Sequence, residues 1–282
     1  LAATGAARLH TDFGQYCGLE NPSHMFHART CILCLLILFA PRLAKAGCTP
    51  IAINAPRVIP ADAAPDTLTI TFLGHASFLI ETPDGVRAVT DYNGSNVPRD
   101  PPDIATMNHA HSTHYTDYAD PRIRYVLHGW RDDGTPAQID LTVRDLHVAN
   151  LPTNIRDGQG GTEVYGNSIF LFESAGLCIA HLSHLHHLLT DQDLVLLGHI
   201  DVVMAPVDGV FTMSQPDMAA VLDQLHPRLV LPMHYYTREV VARFVDLVRD
   251  RYAVRFSDSP TLLLSRATLP ERPTIDVLPG GF

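Results

Sequence analysis

Lysine is nearly missing from this sequence. Of its 20 basic residues only Lys45 is a lysine, and the other 19 are arginines. Beyond position 45 the chain has no side-chain amine for Schiff-base or pyridoxal chemistry and no lysine for a P-loop. Positive charge is short as a whole: 30 acidic residues face 20 basic ones, for a net charge of −10. That balance excludes a protein that grips nucleic acid through a broad basic surface. Long apolar runs are missing too. The stretch 31–40 has ten apolar residues, whereas a membrane-spanning helix needs about 20, and a mean hydropathy of +0.06 argues against a polytopic membrane protein. No Gly-x-Ser-x-Gly elbow occurs, so a serine triad has no anchor. The glycines at 158–161 lack the strand–loop–helix setting and the lysine of a nucleotide loop.

Histidine, by contrast, is abundant, with 16 copies against 20 Lys and Arg together. The 282 residues are 46% hydrophobic and 18% charged, enough for one large domain or two small ones around a sizeable core.

Residues 25–46 read as a secretory signal peptide. Met25 to Arg29 form a basic start, 31–40 an apolar centre, and Ala44-Lys45-Ala46 a cleavage-type site. The alternative is a short buried helix. On the signal reading, 1–24 lie upstream of a natural start at Met25 and the mature chain begins near Gly47. It would be periplasmic or secreted, with no stable membrane insertion once the signal is removed. Cys17, Cys31 and Cys34 leave with the leader, so Cys48 and Cys178 remain for one disulfide in an oxidising compartment. Lipidation at Cys48 is disfavoured because Lys45 stands where an aliphatic residue is wanted. The mature chain keeps 16 basic and 28 acidic residues, a charge of −12.

Residues 47–66 carry Pro50, Pro56, Pro60 and Pro65 and read as a linker. Alternation and turn residues then predict strands at 67–73, 77–82, 86–90, 104–107, 122–127 and 141–148. Further strands are expected at 167–173, 177–181, 200–205, 229–233, 253–256 and 261–264. Helices are expected at 190–197, 214–225 and 238–249, with Thr190 and Ser214 as caps. This order gives one α/β domain over 67–265 with two sheets and helices outside. The Pro-rich tail, 266–282, is expected on the surface.

Three groups of histidines each follow a predicted strand. His109, His111 and His114 follow 104–107; in extended chain, residues two apart point the same way, so His109 and His111 could share a metal. His181, His184, His186 and His187 follow 177–181, and His234 follows 229–233. Ligands at the C-terminal ends of strands converge on one sheet edge. The plain alternative for the first group is a solvated polar loop.

Six stretches in order carry a family resemblance: Leu73-Gly-His75 to Ile80, Thr90-Asp91, His109 to His114, Cys178 to Leu185, Asp201 to Gly209, and Pro232-Met-His234-Tyr. Together they resemble the metallo-β-lactamase-fold hydrolases, especially the branch of ascorbate-6-phosphate lactonase-like proteins. The resemblance covers about 67–265 and implies a four-layer αβ/βα sandwich. It implies metal ligands at His109, His111, His114 and His234, with His184 standing where the family has a bridging Asp. Asp91 would sit behind them and fix an imidazole tautomer. His181 is an alternative ligand, and Asn154 falls near another family histidine. Thr113 replaces the Asp of the family's His-x-His-x-Asp-His.

An all-histidine site leaves each metal its full charge, so one zinc ion is expected, with a second zinc or another divalent metal left open. A metal-bound water would attack an ester, lactone, amide or phosphodiester of a small-molecule substrate, with Asp208 or a histidine moving the proton. The rival from another class is a degenerate member that binds metal or ligand without catalysis. Oligomeric state is not readable from the sequence.

Overall fold

The computed structural model describes residues 67–157 and 159–280. The signal peptide, the upstream segment, the linker and Cys48 lie outside the described residues. The chain runs β1 (Leu68–Gly74), β2 (Ser77–Glu81), β3 (Arg87–Val89), β4 (Ile104–Met107), β5 (Tyr125–His128), β6 (Asp140–Val143), β7 (Leu146–Arg156), β8 (Thr162–Ser174) and β9 (Leu177–His181). It continues α1 (Asp191–Leu197), β10 (Val202–Pro206), α2 (Gln215–Leu225), β11 (Leu229–Met233), α3 (Arg238–Val248), β12 (Ala253–Phe256), β13 (Thr261–Leu264) and β14 (Thr274–Val277).

Two mixed sheets result, in the orders β13-β1-β2-β3-β4-β5 and β12-β14-β11-β10-β9-β8-β7-β6. Period-two alternation sorts each strand's side chains between faces. On β2, Phe78 and Ile80 enter the main core between the sheets, while Leu79 joins a second cluster with Val89, Ala105 and Met107. β9, β10 and β11 are buried along their whole length, as strands covered on both faces must be. The second cluster, on the far face of the first sheet, is covered by Tyr92, Val97, Tyr115, Ala119 and Ile123. Among the described residues the helices all follow β9, so loop segments rather than helices cover that outer face.

The helices start where side-chain caps serve their free N–H groups. Thr190 and Asp193 form a reciprocal capping box on α1, and Ser214 caps α2 through Asp217 N.

Two expectations need correction. The strand expected at 141–148 is two strands, because Arg144 turns with φ of 50° and β6 folds back on β7. The tail expected on the surface instead supplies β14, which lies between β11 and β12 with all four residues buried. A strand of four residues is too short to show a period, and Ile275 and Val277 gain their burial from parallel neighbours.

Candidate metal centre

The site is built on strand ends. β3 and β4 run parallel in the first sheet, as do β9, β10 and β11 in the second. Their C-terminal ends therefore face one edge, where β1 delivers His75, β3 Asp91, β4 the 109–114 loop, β9 Ser183 and His184, β10 Asp208, and β11 His234. The sheets are stitched there: His234 N donates to His75 O at 2.7 Å, and His181 Nε2 lies 2.8 Å from Ala76 O. His75, Asp91, Ser183 and His234 all take left-handed backbone, with φ of 54°, 43°, 49° and 55°. Such residues cost on the order of 1–3 kcal/mol each and persist where surrounding structure dictates them.

Four imidazoles meet at this edge. His111, His114, His184 and His234 each offer a nitrogen, and these atoms lie within 4.8 Å of one another. All but His111 are buried, so the group opens to solvent on the His111 side. The Nε2 atoms of His114 and His234 are 3.2 Å apart. Two nitrogens sharing one zinc at roughly 2.0–2.1 Å stand about 3.3 Å apart in a tetrahedral arrangement. His184 is decisive for fit: both its ring nitrogens are buried without a hydrogen-bond partner. A buried polar atom without a partner costs about 1–3 kcal/mol, and a cation at the group would satisfy one of the two.

The electrostatics suit the same ligand. Burial, and then its neighbours His114 and His234, push His184 down to about 2. Burial does the same to His111, which falls to about 4. Both imidazoles are therefore neutral at pH 7, the state that binds metal.

Behind the four stand groups that set their tautomers. Asp91 is fully buried and lies 2.5 Å from His114 Nδ1, while accepting from Ser183 Oγ at 2.6 Å and Asn108 Nδ2 at 3.0 Å. Burial works to raise its carboxyl, but His114, His181 and the Ser183 hydroxyl hold it well below the usual range. Asp91 thus accepts a hydrogen bond from the His114 Nδ1–H and leaves the Nε2 lone pair facing the group. Thr113 Oγ1 lies 2.7 Å from His111 Nδ1 and 2.8 Å from His75 Nε2. Its hydroxyl can donate to one and accept from the other, so this residue, where the family has Asp, still fixes the ring of His111.

Asp208 accepts from the backbone N–H groups of Val210 (2.9 Å), Phe211 and Thr212 (3.2 Å), and from the Thr212 hydroxyl. Its Oδ1 is also 3.1 Å from His234 Nδ1, an electrostatic contact off the hydrogen-bond direction. Burial raises its carboxyl, yet His234 and the loop donors outweigh this and hold it well below the usual range.

Several sequence-derived site residues land elsewhere. His109 is not in the group. Its Nδ1 lies 2.7 Å from Glu163 Oε1, its ring stacks on Trp130 at 5.1 Å, and its side chain is 41% exposed. The alternation argument fails for it because β4 ends at Met107, so 109 and 111 are not in extended strand. Asn154 has other partners: its side chain accepts from Tyr165 N at 3.0 Å, and its carbonyl faces His186. His181 points at Ala76 O behind the group rather than into it. Glu163, Ser183 and Asn108 were missed by sequence reading. Only Asn108 carried a signal, as the residue that opens the histidine motif.

The fold and site are those of a β-lactamase superfamily protein. Residues 69–234 match the family model described as "Beta-lactamase superfamily domain", and the chain belongs to that family. A UPF0173 metal-dependent hydrolase of Pyrococcus furiosus is 26% identical over 200 residues, covering 61% of this chain and 87% of the relative. Among solved structures, a Thermotoga maritima protein assigned to the Zn-dependent hydrolases of the metallo-β-lactamase superfamily is similar at a TM-score of 0.55 and 25% identity. That match covers 75% of this chain and 98% of the other. The diiron β-hydroxylase CmlA from Streptomyces venezuelae shares the fold at a TM-score of 0.52 and 13% identity, covering 72% of this chain and 55% of its own. Fold alone therefore leaves the reaction open.

Proposed function

We propose that the protein is an exported metal-dependent hydrolase acting on a small ester, lactone, amide or phosphodiester, with one zinc ion held by His111, His114, His184 and His234. The observation that carries this reading is His184, a buried neutral imidazole with two unpartnered nitrogens facing three others. A divalent metal held there supplies Lewis-acid polarisation and acidifies water. The chain's own residues prepare for it. Asp91 and Thr113 hold the outer nitrogens of His114 and His111, and Asp208 fixes the backbone loop beside His234.

Asp208 acts in this reading as a positioning residue. A carboxylate saturated by four donors from its own loop has little basicity left for proton transfer. His75, hydrogen-bonded to Thr113 and with its ring 4.3 Å from that of His234, borders the group. Export rests on the leader-like sequence at 25–46. Chelation should abolish turnover and zinc should restore it, with elemental analysis giving one metal per chain. Turnover that survives complete metal depletion would refute the reading.

One observation favours a second reading. Four neutral nitrogens within reach of one ion could close a tetrahedral site, as in structural zinc centres, and leave no position for substrate. The protein would then be a binding module. Stoichiometric metal with no turnover on any of the four substrate classes would select this alternative.

A further inference from the structure

Large apolar side chains that stay in water on a rigid backbone call for an explanation, because single exposed leucines on mobile loops do not. The loop after β10 has two of them. Val210 is 68% exposed and Phe211 56% exposed. Their backbone is nevertheless pinned: Asp208 receives the N–H groups of both residues and of Thr212. From the other side, Arg156 at the end of β7 donates to Val210 O (3.4 Å) and Thr212 O (3.5 Å). The same Asp208 stands against His234, so the loop's position is tied to the histidine group.

Tyr236 completes the feature. It is 50% exposed, its ring lies 6.2 Å from Phe211, and its other neighbours are His75 at 5.6 Å and His234 at 6.0 Å. An apolar lip thus begins at the histidine group and runs outward through Tyr236 and Phe211. The arginine that reaches this loop has its guanidinium on two carbonyl oxygens, so the lip presents an apolar surface and not an anion site.

We infer that Val210, Phe211 and Tyr236 form the substrate's apolar subsite, so that the bond cleaved at the histidine group carries an acyl or aryl group lying along this lip. The inference rests on the hydrolase reading and narrows it: carboxylic esters or lactones with an apolar chain are favoured over phosphodiesters. Ligand sites commonly join an apolar wall to a few placed polar groups, and here the two are mechanically continuous through Asp208.

The test uses a chain-length ladder read in two ways. Binding of acetate, butyrate, hexanoate and octanoate to the zinc-loaded full chain is followed by calorimetry, and hydrolysis of the matching p-nitrophenyl esters by absorbance. A fully buried methylene is worth about fourfold. A wall open on one side recovers about half of that free energy, roughly twofold per methylene and ~50-fold from acetate to octanoate. The double variant V210S/F211S, altered only at exposed side chains, should flatten both ladders, the octanoate-to-acetate ratio falling towards one in each. A flat binding ladder in the parent protein, or a steep one that survives in the variant, would overturn the inference. A steep, variant-sensitive binding ladder with no hydrolysis of any ester would keep the subsite and refute the hydrolase reading. A dimer that dissociates in the variant, with flat ladders in both proteins, would assign the lip to a self-contact and overturn the inference.

Discussion

Replacing His184 and His109 separately by alanine separates the geometry from the motif. Sequence pattern makes His109 the first ligand of a His-x-His-x-x-His run, whereas the structure gives it to Glu163 and Trp130 and keeps His184, also expected, in the group. A zinc site of this kind binds with about 12 kcal/mol at neutral pH, so one of four nitrogen ligands accounts for roughly 3 kcal/mol, or ~100-fold in affinity. His184→Ala should lose about that much. It also removes a buried imidazole whose unpartnered nitrogens are a liability without metal, so the metal-free variant should be destabilised less than its lost volume suggests.

His109→Ala removes a half-exposed pair with Glu163, worth at most about 1 kcal/mol, and a stacking contact on Trp130. Its zinc affinity should stay within about threefold of the parent. The assay is competition of the metal-stripped, tag-free protein against a chromophoric chelator at pH 7.5, with elemental analysis of the reloaded protein. Affinity lost in His109→Ala to the same degree as in His184→Ala, or retained in His184→Ala, would refute the four-histidine assignment.

Other outcomes follow from the same geometry. Asp91→Asn should weaken zinc binding about 10- to 100-fold, the usual effect of losing a ligand's outer partner, and its amide N–H would oppose the donors from Asn108 and Ser183; titration with zinc checks this. The metal-free protein should lose thermal stability as pH falls from 7 to 5. His111 and His184 have pKa values lowered on folding, to about 4 and about 2, so below pH 6.5 the unfolded chain binds more protons than the folded one. A melting temperature that rises on acidification would contradict this. Ile275→Ala should cost about 2–4 kcal/mol, because Ile275 is fully buried in β14 beside Val230; a urea midpoint unchanged from the parent would return the tail to the surface.

Most of the strands were legible because burial on one face leaves alternation in the text, and because the buried central strands leave short apolar runs bounded by polar residues. β4, β9 and β11 lie where those runs end. Caps at Thr190 and Ser214 were equally legible, being local chemistry. β14 was not, since four residues hold no period and their neighbours β11 and β12 lie more than ten residues away in sequence. At the site, the convergence of strand ends was readable from where the histidines fell. Which imidazole turns inward was not. That depends on the backbone leaving extended geometry after Met107, and on Glu163, a residue 54 positions from His109, offering that ring a better partner.

The replacement of two motif carboxylates has a consequence for how this site keeps its order. In a site held by Asp ligands, negative charge itself orients the metal's surroundings. Here the groups facing inward are imidazoles, and the negative charge lies one layer out, on Asp91 and Asp208, both buried and both kept ionised by donors that face them. Asp91 is bonded to Ser183, next to His184, and Asp208 to its own loop at 210–212, which it holds beside His234. The charge therefore fixes backbone as well as tautomer, which explains why four left-handed residues are tolerated at one strand edge.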